Sequence, residues 1–458
     1  MIFVHSSIYL ILATVAIPFG AVHIWVWSFY IVLIFAAFVA CQWTAIPGAM
    51  TPPGVAFYLS LGLYFTAGLF LCLPLPPALL DYLSPFRYEV LSQSADLLGE
   101  ALTWHTLSYQ PRDSFAWLVF ILGLVLFSLV LGVHFKEHGH LTRTVGLLFI
   151  LAALESVYGI IQALVPNMPV LWATHITAYL GDARGTWVNR NHFAGFIAMM
   201  LPLCLGLTLS KAWWGEKVRW RELIASDLAH RHIFLMVGLV VMALALLFSK
   251  SRAGITAALV GLGVFLSVQR SGIRGLWPAI WGTMGLLGLL VVFYGSRIGF
   301  DPIIARFVAL SPQMSRLDFW RDSLAIIAQH PLGIGPMALP SVFKVYDVSA
   351  HLVDRTVYQL HNDILQILVD TGWIGFVSLL GGFLYFMQDS FRRLRRMDAK
   401  RNPRGFFLAT GAFSGICALT FHSFFDFNLQ IPANGLYFVT LLAIVRHCTG
   451  RRGADTQP

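Results

Sequence analysis

Long apolar runs recur along the whole chain and constrain its fold more than any other feature. They are about 17 to 25 residues long, the length that an α-helix needs to cross a lipid bilayer. Of the 458 residues, 57% are hydrophobic and only 12% are charged, which excludes an ordinary soluble domain. We therefore predict an all-α polytopic membrane protein.

Twelve transmembrane helices are predicted from these runs. They cover residues 8–23, 24–41, 54–73, 115–134, 145–164, 192–210, 233–249, 253–269, 276–295, 366–388, 405–424 and 434–448. Together they form a single transmembrane domain, residues 1–448, followed by a tail at 449–458. The first apolar run begins directly after His5 without a basic region before it, so we expect no cleaved signal peptide.

Lysine and arginine are distributed unequally between the two sides of the predicted bundle. An even number of helices places both termini on one side, and nineteen of the 31 Lys and Arg residues fall there, including the run Arg392 to Arg396. Because cytoplasmic loops carry the positive excess, both termini and the tail are expected in the cytoplasm. The basic pI of about 9.4 then reflects membrane orientation, and no nucleic-acid partner is expected.

The largest loop on the opposite side spans about residues 296–365, between the ninth and tenth predicted helices. Part of it, Met314 to His330, is predicted to form an amphipathic helix. Its apolar residues recur at helical spacing: Leu317, Trp320, Leu324 and Ile327. Such a helix can lie on the outer leaflet, with Arg316 and Arg321 near the lipid headgroups. A large polar segment in so apolar a chain is the natural place for chemistry.

Two shorter outer loops bring cations to the same side of the membrane. Arg184 and Arg190 precede the sixth helix, and Lys250 and Arg252 lie in the tight hairpin before the eighth. A guanidinium group matches the oxygens of a phosphate, so two such groups suit a diphosphate at the membrane surface. The alternative for each is contact with lipid headgroups or pairing with an outer acid.

A histidine stands at the end of the outer segment, directly before the tenth helix. The imidazole of His361 can accept a proton from a sugar hydroxyl as that hydroxyl attacks. His192 and His422 are rivals at the same level, and His351 is a weaker one. Asp426, at the outer end of the eleventh helix, could orient a histidine, pair with an arginine or be structural.

Several absences limit the chemistry further. No Asp-x-Asp, Glu-x-Asp, Walker loop, HExxH or GxSxG motif occurs, so we expect no metal and no cofactor. Arginines would then neutralise a leaving diphosphate. Glu155 lies within the fifth helix, where a carboxylate is usually paired or functional, but the sequence does not identify its partner. No obvious carboxylate nucleophile accompanies His361, which favours inversion at a sugar carbon.

At these residues the chain resembles the O-antigen ligase and polymerase superfamily of bacterial envelope glycosyltransferases. The similar stretches are Arg184 to His192, Ser251 to Gly254, Trp320 to Gly335 and His361 to Gly372. A fifth, His422 to Ala433, looks like the C-terminal signature of many members. The first 180 residues or so are similar in hydropathy alone.

The resemblance implies a metal-independent, GT-C-like enzyme of the bacterial inner membrane. Such enzymes take a glycan from undecaprenyl diphosphate at the periplasmic face and pass it to the lipid A–core, to another lipid-linked repeat or, in a related branch, to protein. By the same resemblance, Arg184 and Arg252 would hold the diphosphate and His361 would activate the acceptor hydroxyl. Arg190 stands where many relatives carry proline, so the phosphate-binding arginine of that loop stays open. The residues expected to support the site are Asn191, His192, Asn362, Arg316, Arg321, His422 and Asp426.

Two functions from other classes remain as alternatives. A transporter or flippase for lipid-linked sugars would also explain many helices and outer cations, although no repeat symmetry is visible. A scaffold could recruit soluble proteins through the basic inner loop 389–404. Neither would require a histidine at the end of the outer segment.

Overall fold

The computed structural model describes residues 1–43, 55–210, 227–268, 316–348 and 356–450, with four isolated positions between 285 and 293. These residues form fifteen α-helices and one two-stranded sheet. Seven of the helices are long and apolar enough to cross a membrane by length and composition. The prediction of an all-α polytopic membrane protein is confirmed, and the number of twelve spans stays a prediction.

The helices follow one another along the chain with few other elements between them. They are α1 Ile2–Thr14, α2 Ile24–Trp43, α3 Val55–Cys72, α4 Pro77–Leu83, α5 Pro85–Leu98, α6 Pro111–His134, α7 His140–Leu164, α8 Arg190–Ser210, α9 Asp227–Phe248, α10 Arg252–Val268, α11 Arg316–Gln329, α12 Leu339–Tyr346, α13 Asp363–Leu394, α14 Pro403–His422 and α15 Pro432–Gly450. Strands β1, Pro74–Leu75, and β2, His105–Thr106, pair antiparallel.

Eleven of the twelve predicted helices coincide with a helix of the structure. The ninth, at 276–295, lies almost wholly outside the described residues, as do 296–315 and 349–355 of the outer segment and 451–458 of the tail. The extent of the first helix, 8–23, is wrong, since α1 covers Ile2–Thr14. Pro18 has no backbone N–H to continue the helix, and Gly20 takes a left-handed conformation with φ +71°.

Helix α8 is the centre of the bundle and is almost entirely buried. It packs closely along α14 because small residues line the contact. A Cβ on Gly206 would lie 2.3 Å from the Phe407 carbonyl oxygen, and one on Gly411 would lie 2.5 Å from the Pro202 carbonyl oxygen. This close packing fixes the outer end of α8, which begins at Arg190.

A turn of the outer segment enters a break in α13. Gly372 interrupts that helix with φ +61°, and the space of its missing Cβ is filled by the backbone of Leu332. The Trp373 N–H donates to the Pro331 carbonyl at 3.0 Å, and the Gly335 N–H donates to the Asp370 carbonyl at 2.9 Å. The turn predicted to end the amphipathic helix therefore also fastens the outer segment to the bundle.

The predicted amphipathic helix is present as α11, and its apolar residues divide between two environments. Trp320 and Ile327 are partly buried, whereas Leu317 and Leu324 are exposed. Because these last two are seven residues apart, they lie on one face of the helix. That face is available to a lipid surface.

The beginning of α1 and the end of α15 lie at the same end of the helical bundle. His5 of α1 contacts His134 at the end of α6, and the ring of Phe135 lies 5.7 Å from that of His447 in α15. At its other end, α6 meets the outer segment, where the Ser114 hydroxyl donates to the Pro336 carbonyl at 2.7 Å. We call these the terminal end and the outer end of the bundle.

Candidate active site

A fully buried carboxylate, Asp426, lies at the outer end in the turn that follows α14. Its Oδ1 is 3.3 Å from His361 Nδ1 and 3.7 Å from His192 Nε2. Its Oδ2 is 3.9 Å from a nitrogen of the Arg316 guanidinium, which also donates to the Phe425 carbonyl. Three candidate residues from distant parts of the sequence thus converge on one carboxylate.

The surroundings of Asp426 keep it ionised. Burial by itself would raise the pKa of this carboxyl, but the interactions with His192 and His361 outweigh burial and hold the pKa well below its usual range. An ionised Asp426 accepts the Nδ1–H of His361, which leaves Nε2 of that ring as a proton acceptor. The pair therefore has the arrangement of a base and the carboxylate that orients it.

Local hydrogen bonds hold the backbone around His361 in place. The side chain of Asn362 caps α13 by accepting from the Leu365 N–H at 3.0 Å. On the other side, Trp320 Nε1 donates to the Leu360 carbonyl at 3.0 Å. His361 itself has φ +54°, a conformation that costs energy for a residue with a Cβ and is often found at functional sites.

Accessibility separates His361 from its rivals. The His361 side chain is 30% exposed, whereas that of His192 is 7% exposed and His422 is fully buried. The rings of His361 and His192 both pack against Phe427, with centroids 4.9 and 4.6 Å from its ring. His422 Nδ1 is bonded to the Asn428 amide. His351 lies outside the described residues.

A second group of charges surrounds Asp182 in the loop before α8. The Arg190 guanidinium pairs with Asp182 Oδ2, and Lys250 Nζ lies 2.8 Å from Oδ1. Lys250 also donates to the Gly181 carbonyl at 3.0 Å, and Arg190 lies over the ring of Tyr179. Both cations therefore pair with an acidic residue of an outer loop, which is one of the alternatives that the sequence left open.

Tyr179 connects the two groups of charges. Burial raises the pKa of its phenol, and the charges that act on it are Arg190 and Asp182 from one group and Asp426 and Arg316 from the other. The two carboxylates and their cations thus form one electrostatic site at the outer end. No pattern in the sequence points to Tyr179 or Asp182 in this role.

Arg184 is fully buried next to the second group. Its guanidinium donates to the Ala178 carbonyl, and its Nε and Nη2 have no hydrogen-bond partner among the residues described. Burial lowers the pKa of this guanidinium, while Tyr158 and Asp182 oppose the shift. Two donors of Arg184 thus stay available for an anionic group.

The remaining expected site residues lie on α8, α10 and α11. Arg252 is exposed at the first residue of α10, and Gly254 just after it packs against Ala194 of α8. Arg321 is exposed on α11. The Asn191 N–H is bonded to the Asn189 side chain at 2.9 Å, at the start of α8.

The structure supplies the partner of Glu155. Its carboxylate accepts from the Thr186 N–H at 2.9 Å and lies 3.0 Å from the Thr186 hydroxyl, which is also 2.8 Å from the Ala16 carbonyl. Gly185 has φ +55°, and a Cβ there would lie 2.5 Å from Glu155 Oε2. The Arg184-Gly185-Thr186 stretch therefore fastens the loop before α8 to α7 and to the chain after α1.

A comparison with protein families finds a match to part of the chain. Residues 237–380, just under a third of it, match the family model described as O-antigen ligase. This match supports the resemblance to the O-antigen ligase/polymerase superfamily. The matched region contains Lys250, Arg252, Arg316 and His361. A comparison with curated proteins finds no match.

The expected resemblance is confirmed. The match supports a general function of the O-antigen ligase/polymerase type, and that family implies a lipid-linked glycan and an acceptor as substrates. Together with seven helices that are long and apolar enough to cross a membrane, it indicates a bacterial membrane protein.

An apolar cavity of about 260 Å³ lies beside the candidate site, between α3, α6, α13, α14 and α15. Aromatic and aliphatic side chains form most of its lining, among them Tyr58, Tyr64, Trp117, Phe383 and Phe438. Asp363 lies at its edge and donates its N–H to the carbonyls of Ser423 and Asp426, at 2.8 and 3.3 Å. The cavity therefore adjoins the turn that carries Asp426.

The sequence shows no obvious carboxylate nucleophile beside His361, and the structure places there Asp426, the residue that the sequence suggested could orient a histidine. The sequence separates them by 65 residues, so no local pattern could pair them. Asp426 is fully buried and its oxygens face His361, His192 and Arg316. A buried Asp426 beside His361 is therefore placed to orient that imidazole.

Proposed function

We propose that this protein transfers a glycan from undecaprenyl diphosphate to an acceptor hydroxyl at the periplasmic face of the inner membrane, without a metal. The observation that carries this proposal is the partly exposed His361 held by the buried Asp426, beside Arg316. The acceptor is the lipid A–core for a ligase or another lipid-linked repeat for a polymerase. Both termini then face the cytoplasm, in keeping with the distribution of lysine and arginine.

His361 acts as the general base. Its Nε2 takes the proton of the acceptor hydroxyl while the hydroxyl oxygen attacks the anomeric carbon of the donor sugar. The bond from that carbon to the diphosphate oxygen breaks, and undecaprenyl diphosphate leaves with the bonding electrons. Asp426 keeps the imidazole in the required tautomer and stabilises the imidazolium that forms. The buried position of Asp426 supports direct displacement with inversion.

The charges at the outer end suit the leaving diphosphate. Two carboxylates, Asp182 and Asp426, face four cations: Arg184, Arg190, Lys250 and Arg316. The excess of two positive charges lies where negative charge would develop on the diphosphate. Arg252, exposed at the start of α10, adds a further cation from the solvent side.

The apolar cavity suits the lipid part of the donor. It adjoins the turn of Asp426 and is formed by membrane helices, so the first isoprene units can lie in it while the diphosphate faces the cations. The exposed leucines of α11 would bring the outer segment to the membrane surface above the sugar.

The test is a glycan gel on a deletion strain complemented with wild type, His361→Ala or His175→Ala. His175 is an exposed histidine of another outer loop and serves as the matched control. We expect wild-type glycan from the control and no long-chain glycan on the lipid A–core from His361→Ala, with equal amounts of each protein in the membrane. A normal glycan ladder from His361→Ala would refute the assignment of the base.

The same gel separates ligase from polymerase. Long undecaprenyl-linked chains that accumulate without reaching the core indicate a ligase. Single repeats that still reach the core indicate a polymerase. The transporter alternative predicts instead that reconstituted protein moves labelled lipid-linked sugar across proteoliposomes without needing His361.

A further inference from the structure

Three histidines meet at the terminal end of the bundle, far from the candidate active site. His5 comes from α1, His134 ends α6 and His140 begins α7. One possible ligand atom from each lies within 4.8 Å of those of the other two. The carboxylate of Glu137 lies 2.8 Å from His5 Nε2 and 3.8 Å from His140 Nε2. We call these four residues the histidine cluster.

The three imidazoles are packed together in a largely buried place. Their ring centroids are 4.0 Å apart for His5 and His140, 4.6 Å for His134 and His140, and 4.9 Å for His5 and His134. His134 is fully buried, and His5 is 8% exposed. Glu137 is the most exposed member and gives the cluster a route to solvent.

Hydroxyl groups hold the outward nitrogens of two of these rings. The Tyr9 hydroxyl lies 2.8 Å from His140 Nδ1, and the Thr144 hydroxyl lies 3.1 Å from His134 Nε2. The other nitrogens, His140 Nε2 and His134 Nδ1, face the inside of the cluster. Histidines that bind metals have this arrangement, since a bond to the far nitrogen fixes the ring and its tautomer.

Hydrogen bonds within the histidine cluster give partners to only some of its nitrogen atoms. His5 can donate its Nε2–H to Glu137 and accept at Nδ1 from His134, 2.7 Å away. His140 Nε2 then faces the Glu137 carboxylate at 3.8 Å, beyond hydrogen-bond distance. A cation among these groups would use this nitrogen as well as the other two rings.

We propose that the histidine cluster binds a divalent transition-metal cation of the Zn²⁺ class, with three imidazole ligands and the carboxylate of Glu137. Three nitrogens and one carboxylate oxygen form a donor set that Zn²⁺ takes in tetrahedral sites. The 2.7 Å separation of the His5 and His134 nitrogens would open to roughly 3.3 Å in such a site, a change that side-chain rotation supplies.

The bound cation would fasten α1 to the bundle. Helix α1 has only 13 residues, fewer than a bilayer-spanning helix needs, so its position depends on contacts at its ends. Its far end is held through Ala16 and Thr186, and the cation would hold its near end to α6 and α7. Since the 24 residues of α6, roughly 36 Å, separate the cluster from the outer end, the cation takes no part in glycan transfer.

The experiment uses the full chain in detergent, purified without a polyhistidine tag and stripped with a chelator. Co²⁺ is added as the probe, because its visible absorption reports a tetrahedral site, and Zn²⁺ is then added in competition. We expect one equivalent of Co²⁺ per chain, displaced by Zn²⁺, and a higher Tm with either ion. Tyr9→Phe, which keeps all four ligands, should weaken binding about tenfold or more.

Matched variants separate the cluster from adventitious binding. His5→Gln and His140→Gln should lose the Co²⁺ spectrum and the gain in Tm. His138→Gln, which changes an exposed histidine of the same loop, should keep both. The proposal is overturned if folded wild-type protein gives no tetrahedral Co²⁺ spectrum, since the cluster is then a hydrogen-bonded network. A spectrum that persists in both His5→Gln and His140→Gln overturns it equally.

Discussion

Replacing Asp426 by asparagine is expected to slow glycan transfer by removing the charge that orients and stabilises His361. The new side chain has nearly the same shape, so packing around it is kept. However, its amide can offer only one oxygen, while His361, His192 and Arg316 all approach as donors. The substitution therefore tests the charge of Asp426 and leaves its volume unchanged.

The magnitude follows from the separation of the two groups. A full charge on His361, 3.3 Å from the carboxylate, gains about 5 kcal/mol at an effective dielectric constant of roughly 20. Since the His361 side chain is 30% exposed, water screens this to about 2–3 kcal/mol. At about 1.4 kcal/mol for each factor of ten, kcat should fall roughly 30- to 150-fold.

The assay is the initial rate of transfer by purified protein at saturating donor, with kcat and KM determined separately. The matched comparison is the same substitution in a His361→Ala background, where Asp426 no longer has its histidine to orient. We expect the second substitution to add almost nothing there. A folded Asp426→Asn protein with kcat within threefold of wild type, or losses that multiply in the double variant, would refute the reasoning.

Three further outcomes follow from the structure. Thr186→Val removes a buried hydroxyl between Glu155 and the chain after α1 and should lower stability by about 1–3 kcal/mol, seen as a lower Tm in detergent. Gly372→Ala places a Cβ against backbone at a left-handed residue and should cost about 2–5 kcal/mol, whereas Gly381→Ala in the same helix meets open space and should leave the Tm unchanged or raised. Because the pKa of Asp426 is held below its usual range, its contribution to stability is complete above the unfolded pKa, about 3.9, and is lost as the pH falls through the lower folded value. The Tm difference between wild type and Asp426→Asn should accordingly shrink as the pH falls below about 4.

The membrane character of the protein and most of its helices could be predicted from the sequence alone. The reason is that a bilayer acts locally: each apolar run of sufficient length forms a helix whose backbone bonds are satisfied within the run. The same locality explains the error at α1, where Pro18 and Gly20 end a helix inside an apolar run. Hydropathy does not detect such a break.

The sequence alone indicated candidate site residues where a local pattern sets them apart from their neighbours. His361 stands out because it ends a polar segment directly before a helix, and Arg190 because it begins one. The contacts that each of these side chains makes cannot be predicted from the sequence. Arg190 faces Asp182, and His361 faces Asp426, which stands 65 positions away in the sequence.

The site and the histidine cluster exist only in the tertiary structure. Glu155 contacts Thr186, and His5 contacts Glu137, which is 132 positions away in the sequence. Both contacts depend on how each helix is rotated about its axis and shifted along it relative to its neighbours. Those rotations are set by close packing, as where Gly206 lets α8 approach α14, and an apolar composition leaves them undetermined. The sequence alone thus determined a bundle of membrane helices with a polar outer segment, and packing between the helices decided which polar side chains meet.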